Sequence, residues 1–341
     1  MRTAQYIGDH SVVAATAEPV PPRAGEVQIR VAYTGLCGTD LHIVHGNMDA
    51  RVQQPLVFGH EMSGVVAAVG DDVTSVTPGD VVTVMPLEWD GTCPACRAGH
   101  QHVCQNLDFV GIDSPGSLQE LWTVPERIVI PAPSGTDLKH LALVEPVAVA
   151  VHDVRRSGAG AGDRVLVIGS GPIGLLIATV ARHRGAEVRV SEIDPTRRQQ
   201  ATDLGFDTID PSASDAVQVV EAWTGGAGAD IVFEVSGAAA AVLSATSFLK
   251  VRGTLVVVAI HPTPRPIDLQ RLFWRELTIL GARVYERQDF DEAVRLVTGG
   301  AIPADTLITD VVPLEQTGAA FTTLEAGRAM KVLVDVSGDA L

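Results

Sequence analysis

The chain has 341 residues, is 46% hydrophobic, and sets 25 basic against 41 acidic residues for a net charge of −16. That length and composition describe a globular chain of about two domains, not a disordered one. The acidic balance argues against a nucleic-acid footprint, which needs a basic face, and no apolar run reaches the roughly eighteen residues of a membrane span.

The opening MRTAQYIGDH lacks the charged-then-apolar pattern of a secretory leader, so the cytoplasm is the expected compartment. Residues 28–32 alternate as a strand does, and Pro19, Pro21 and Pro22 exclude helix before them. The stretch CGTDLHIVHGNMDARVQQPLVFGHE, residues 37–61, opens on Cys37 and closes on His60 and Glu61. Thiolate, imidazole and carboxylate are the ligand types that zinc takes. The turn-prone Gly46-Asn47 and the segment 55–59 let the chain loop out and bring His60 and Glu61 back to Cys37. SGVVAAVG and VVTVMP then read as strands separated by the turn TPGD. Cys93, Cys96 and Cys104 are crowded together, a pattern of metal ligation more than of disulfides. A helix is predicted over 140–157, and the glycines of 158–162 read as a hinge. The expected first domain is β-rich and spans 1–150.

From Arg164 the pattern changes. RVLVIG is a near-continuous apolar strand, as buried parallel strands are. Gly169-Ser170-Gly171-Pro172-Ile173-Gly174 follows it as G-x-G-x-x-G and opens the helix LLIATVARHRG. In that context Gly169 permits the tight turn, Gly171 lets the backbone approach a pyrophosphate, and Gly174 lets helix and sheet pack closely. Pro172 falls in the first helical turn, where a missing N–H costs nothing. Further strands are predicted within EVRVSEID and over 229–237, 253–260 and 277–282. Strands alternating with helices predict a doubly wound parallel sheet over 151–285. Glu192 ends the second strand, eighteen residues beyond Gly174, where an acid accepts from a ribose hydroxyl and repels a 2′-phosphate. NAD is therefore expected over NADP, although Arg197 and Arg198 are compatible with the extra phosphate. The expected cofactor contacts are Gly169, Gly171, Pro172, Ile173, Gly174, Glu192 and Arg197, with Val235, Ser236, Ala259 and Ile260 at later strand ends. Residues 286–341 mix a helix with KVLVDV and are expected to rejoin the first domain.

GLCGTDLHI, the P-x-x-x-G-H-E-x-x-G-x-V-x-x-V-G stretch of residues 55–70, LVEPVAVAVH and the glycine turn together resemble the zinc-dependent medium-chain dehydrogenase/reductase superfamily. The resemblance covers essentially the whole chain. It is strongest to the polyol dehydrogenases of sorbitol and butanediol type, with threonine dehydrogenases close by. It implies an α/β protein: a GroES-like catalytic domain and a Rossmann nucleotide-binding domain. It also implies a catalytic zinc on Cys37, His60, Glu61 and Glu145, the two carboxylates directly or through water, with Thr39 and His42 carrying the proton out. Hydride would pass from a polyol, sugar alcohol or vicinal diol to NAD. L-threonine or a cyclic polyol is the alternative substrate, although Glu145-Pro146 matches the polyol type where threonine dehydrogenases usually have Asp-Pro. A non-catalytic nucleotide-binding redox sensor is disfavoured by the intact Cys37, Thr39, His60, Glu61 and Glu145. The family's structural zinc lobe reads C-x2-C-x2-C-x7-C. Here Asp90 replaces its first cysteine before Cys93, Cys96 and Cys104, with His100 and His102 as other possible fourth ligands. The resemblance further implies a dimer or tetramer, often formed through the edge of the nucleotide domain's sheet. It places Arg283 and Tyr285 at the substrate pocket and His152 near the domain junction. His10, His45, His140, His183 and His261 are expected to be surface or structural residues.

Overall fold

The computed structural model describes residues 1–327 and 329–338. The chain forms two compact units, one of Met1–Pro146 with the segment from Glu286 onward, the other Val147–Tyr285.

The first unit begins with β1 (Arg2–Tyr6) and β2 (Val12–Thr16), then β3 (Glu26–Leu36) and α1 (Gly38–Val44). β4 (Leu56–Val57), β5 (Glu61–Val69), β6 (Val81–Val84) and β7 (Leu87–Glu88) follow, then α2 (Pro94–Arg97) and β8 (Asp108–Phe109). β9 (Leu121–Pro125), β10 (Val129–Pro131) and α3 (Leu138–Leu141) lead to α4 (Val144–Ser157). The helix expected over 140–157 thus begins as a separate short turn. β3 is longer than its alternating core suggests. Val27, Ile29 and Val31 are fully buried, and the strand continues to Leu36 with register shifts against β5 at residues 28–29 and 31–33.

The second unit carries six parallel strands: β11 (Arg164–Ile168), β12 (Glu187–Ser191), β13 (Asp207–Ile209), β14 (Ala229–Glu234), β15 (Leu249–Val257) and β16 (Thr278–Gly281). Their order is β13-β12-β11-β14-β15-β16, so the winding reverses between β11 and β14. Val165, Leu166 and Val167 are fully buried, which is why this strand has no polar alternation. Between the strands run α5 (Pro172–His183), α6 (Pro195–Asp203), α7 (Ala216–Thr224), α8 (Ala239–Ala245) and α9 (Leu269–Trp274). The doubly wound sheet predicted from the apolar strands is present. Residues 158–162 join α4 to β11 inside this unit, and the chain passes from the first unit to the second earlier, within α4.

The chain then returns through α10 (Arg287–Thr298), α11 (Ala304–Leu307), β17 (Ile308–Pro313), α12 (Thr317–Glu325) and β18 (Lys331–Asp335). β17 and β18 complete a seven-stranded sheet of order β10-β6-β5-β3-β18-β17, with β9 also on β3. β3 therefore lies between β5 and β18. Its register sets Gly35 opposite Glu61 on one side and Leu36 opposite Val332 on the other. Among the described residues no helix is long and apolar enough to cross a membrane.

Candidate active site

Where β3 ends, Cys37 becomes the N-cap of α1. Its Sγ accepts from the Thr39 N–H at 3.2 Å, and its own N–H donates to Asp40 Oδ2 at 2.9 Å, a reciprocal capping box. The thiol is thereby fixed at a helix start. Across the sheet, His60 directly precedes β5 and Glu61 begins it. The ligand atoms of Cys37, His60 and Glu61 lie within 4.8 Å of one another. Cys37 Sγ is 3.3 Å from His60 Nε2. Tetrahedral zinc, with bonds of about 2.3 Å to sulfur and 2.0–2.1 Å to nitrogen, would hold two such atoms about 3.5 Å apart. The donor set and its spacing both fit that ion.

The surroundings of this cluster were not evident in the sequence. Asp40 is fully buried, and its Oδ1 stands 3.7 Å from His60 Nδ1, the ring nitrogen turned away from Cys37. A carboxylate behind a ligating histidine fixes which nitrogen faces the metal. Phe109 packs edge-on against the same ring, with centroids 5.2 Å apart. Lys331 opens β18 and is 3% exposed. Its Nζ donates to both oxygens of Glu61, at 2.8 and 2.6 Å, and to the Leu36 carbonyl at 3.2 Å. Gly35 makes room for this pair, since a Cβ there would collide with Glu61 Oε2. Glu145, in the first turn of α4, is 4% exposed and lies outside the three-residue cluster, although its charge reaches both His60 and Lys331.

Burial pushes the Cys37 thiol and the Asp40 carboxyl up, and nearby negative charge adds to this. Burial also pulls His60 and Lys331 down, but the acidic groups around them outweigh it and leave both above their ordinary values. Thr39 and His42 are three apart on α1, hence on one face; Thr39 is half-buried and His42 is exposed, with Nδ1 3.4 Å from Asn47 Nδ2.

The second cluster is Asp90, Cys93, Cys96 and Cys104. Cys93 and Cys104 sulfurs are 3.8 Å apart, the edge of a tetrahedron with zinc–sulfur bonds of about 2.3 Å. N–H groups of Cys96 and Gln105 point at Cys93 Sγ, and that of Asn106 at Cys104 Sγ. Donation from Gln105 and Cys96 draws the Cys93 thiol down to about 7, while burial pushes Cys96 up to about 12. Asp90 Oδ1 accepts from Thr92 and Cys93 N–H groups at 2.7 and 2.9 Å, and Oδ2 from Asn106 at 2.5 Å. Those donors hold its carboxyl well below the usual range. Asp90, not His100 or His102, completes the cluster; His102 Nδ1 lies 4.0 Å from Glu286.

In the second unit the glycine turn follows β11 and opens α5. Gly171 is the N-cap and places no side chain on the helix's first N–H groups, and a Cβ on it would meet nothing within 4 Å. A Cβ on Gly174 would instead strike the Gly169 carbonyl oxygen. An open face at a helix N-terminus, built on a tightly packed turn, suits a pyrophosphate. Glu192 is buried beside it. Oε2 accepts from the Ser170 N–H and hydroxyl at 2.7 and 3.1 Å, and Oε1 from the Ile193 and Asp194 N–H groups at 2.8 and 2.9 Å. Arg198 is committed to the Glu192 and Ile193 carbonyls and to Asp210, while Arg197 is half-buried. Val235 and Ser236 follow β14, and Ala259 and Ile260 follow β15 with Ile260 exposed. Of the pocket residues implied by resemblance, Tyr285 is fully buried.

Residues 23–134 match the alcohol dehydrogenase GroES-like domain and residues 172–299 the zinc-binding dehydrogenase domain. A 2-dehydro-3-deoxy-L-galactonate 5-dehydrogenase of Pseudoalteromonas atlantica is 49% identical over 340 residues, covering 99% of this chain and 100% of that one. The chain belongs to the zinc-dependent medium-chain dehydrogenase/reductase superfamily. An L-galactonate-5-dehydrogenase of Escherichia coli is 33% identical over 86% of both chains. The crystal structure of 2R,3R-butanediol dehydrogenase from Bacillus subtilis superposes with a TM-score of 0.90 at 29% identity, covering 98% of this chain and 99% of that one. The protein is an NAD-dependent zinc oxidoreductase acting on an alcohol of the polyol class, with two candidate zinc sites.

Lys331→Met leaves Glu61 buried without its counter-charge, a change that costs about 3–5 kcal/mol when a buried pair is broken. The melting temperature of this variant should fall by several degrees. A melting temperature equal to that of the unmodified protein would show that the pair does not hold the site together.

Proposed function

We propose that this dehydrogenase oxidises the C5 secondary hydroxyl of a six-carbon sugar acid of the 2-dehydro-3-deoxyaldonate or aldonate class. The match at 49% identity along the full length of a relative with that activity carries the reading. A second relative, more distant, also acts at C5 of a six-carbon acid. A neutral polyol or vicinal diol is the second reading, favoured by the Glu145-Pro146 pair.

In this reading Cys37 and His60 are the protein ligands of the catalytic zinc, with Glu61 and Glu145 as its near carboxylates. When bound, zinc supplies Lewis-acid polarisation of the substrate hydroxyl and NAD supplies the hydride acceptor. Asp40 keeps His60 Nε2 turned toward Cys37. Lys331 donates to both oxygens of Glu61, which holds this carboxylate beside Cys37 and His60 and would leave it less available as a direct zinc ligand. The Thr39 hydroxyl takes the substrate proton and passes it along the α1 face to His42, which is exposed and releases it to water. Asp90, Cys93, Cys96 and Cys104 would hold a second zinc, with a structural role.

Two assays test this together. Elemental analysis should give two zincs per chain, and one in Cys37→Ser, which should lose at least about a hundredfold in kcat. NAD reduction should be fastest with C5-hydroxy sugar acids in a panel that also holds sorbitol, butanediol and L-threonine. A higher kcat/KM on a neutral polyol would move the assignment to the second reading.

Glu192 sets the cofactor preference. A 2′-phosphate beside a buried carboxylate is repelled, so kcat/KM should favour NAD over NADP by about a hundredfold or more. Glu192→Ser should narrow that ratio at least tenfold, and an unchanged ratio would take the role from this residue.

The unit's sheet edge supports self-association. β16 is the last strand in its order, and Leu269, Phe273 and Trp274 are 65%, 73% and 73% exposed on the adjoining α9. We read this edge as the contact with a second copy of the chain, since an unpaired edge beside apolar side chains is a pairing surface. Light scattering should find a dimer or larger, and Trp274→Glu should shift it toward monomer. A monomeric unmodified protein would end this reading.

A further inference from the structure

The dinucleotide-binding unit holds a buried acid for which the roles above give no use. Glu234 is the last residue of β14 and is 1% exposed. Its Oε1 accepts from the Ser236 N–H at 3.0 Å, the Ser236 hydroxyl at 2.6 Å and the Gly237 N–H at 2.9 Å. Its Oε2 is 3.2 Å from His261 Nε2, on the segment that leaves β15. The ring is not aligned for a hydrogen bond, so among the described residues Oε2 and both His261 nitrogens have no hydrogen-bond partner. The His261 side chain is only 16% exposed. Buried polar atoms are nearly always paired with protein, water or ligand, and three of them stand together here.

Their position narrows what the ligand is. A dinucleotide crosses a sheet of this kind where the winding reverses, with its pyrophosphate on the glycine turn after β11. Glu192, after β12, marks the adenosine side. β14 and β15 lie on the other side of β11, which is the side left for the nicotinamide nucleoside. Glu234 already shapes this region. It fixes Ser236, which lies 3.1 Å from where a Cβ on Gly169 would be, and its carbonyl accepts from the N–H groups of Val258 and Ala259.

We propose that His261 binds the nicotinamide nucleoside of the cofactor, positioned by Glu234. With Glu234 Oε2 3.2 Å from Nε2, the neutral ring is favoured with its proton on Nε2 by the adjacent negative charge, which leaves Nδ1 as an acceptor. Nδ1 then receives a donor from the cofactor, either the carboxamide NH2 or a hydroxyl of the nicotinamide ribose. The proposal rests on NAD as the cofactor.

The test is calorimetric binding of NADH, ADP-ribose and ADP to the full, zinc-loaded chain. His261→Leu should weaken NADH about three- to tenfold, the worth of one neutral hydrogen bond, and leave ADP unchanged. ADP-ribose weakened alongside NADH identifies the ribose hydroxyl as donor, and ADP-ribose unchanged identifies the carboxamide. His261→Asn, whose side-chain oxygen can stand in for Nδ1, should recover most of the loss. It also carries the test if the leucine variant does not fold. An unchanged NADH affinity overturns the proposal. So does an equal loss for ADP, which would make His261 a support for the turn alone. Failure of the unmodified chain to bind ADP would count against the cofactor reading itself, a separate result.

Discussion

A concentration of negative charge in a buried place governs the first unit. Cys37, Asp40 and Glu61 converge where β3 ends, with the charge of Glu145 reaching them, and His60 and Lys331 are the basic groups set among them. Removing such charges from water is expensive unless each is compensated. Lys331 compensates Glu61 directly, and Asp40 is spent on the Cys37 N–H and the back of His60. A dication held by Cys37 and His60 would supply what remains, and would favour the thiolate form. The sheet order serves this balance, because only a strand flanked by β5 and β18 brings Glu61 and Lys331 to one point.

The second unit solves a different problem with the backbone. Its anion site is made of N–H groups and absent side chains, and its carboxylates serve as braces. Glu192 ties the glycine turn to the end of β12, and Glu234 ties the exits of β14 and β15. Each acid accepts several N–H or hydroxyl donors, which ties neighbouring turns to a single side chain. Rigid loops of this kind lower the ordering cost of binding a long cofactor.

Much of this was legible beforehand because it is local. An apolar strand followed by G-x-G-x-x-G and a helix has few alternative folds, and the crowding of Cys93, Cys96 and Cys104 marks metal ligation, with Asp90 added to them by the resemblance. Cys37, His60 and Glu61 were also accessible, since their ligand types suit zinc and the resemblance places the catalytic metal on them. Lys331 was not. It begins an apolar strand, and nothing in KVLVDV says which strand it will pair with or what that register brings near. Asp40 was hidden in a capping box, where its Oδ2 has an ordinary role and only Oδ1 faces the site. Glu234 read as part of a strand over 229–237 and His261 as a surface or structural histidine, because their proximity depends on adjacent parallel strands ending at one level. The substrate is outside the reach of motif spacing, since zinc and NAD chemistry is common to many alcohols.

The Glu61–Lys331 contact spans 270 positions of the chain. On the ribosome Cys37, His60 and Glu61 therefore emerge long before the residue that neutralises Glu61. At about 5–20 residues per second, that delay is roughly a quarter of a minute to a minute. Throughout it the nascent first unit lacks two strands of its large sheet and holds an uncompensated carboxylate next to a thiol and an imidazole. Any metal captured in that interval would meet Glu61 as an additional hard oxygen donor in a more negative site. Once β18 pairs with β3, Lys331 engages both oxygens of Glu61, so that carboxylate is compensated only when β18 is in place.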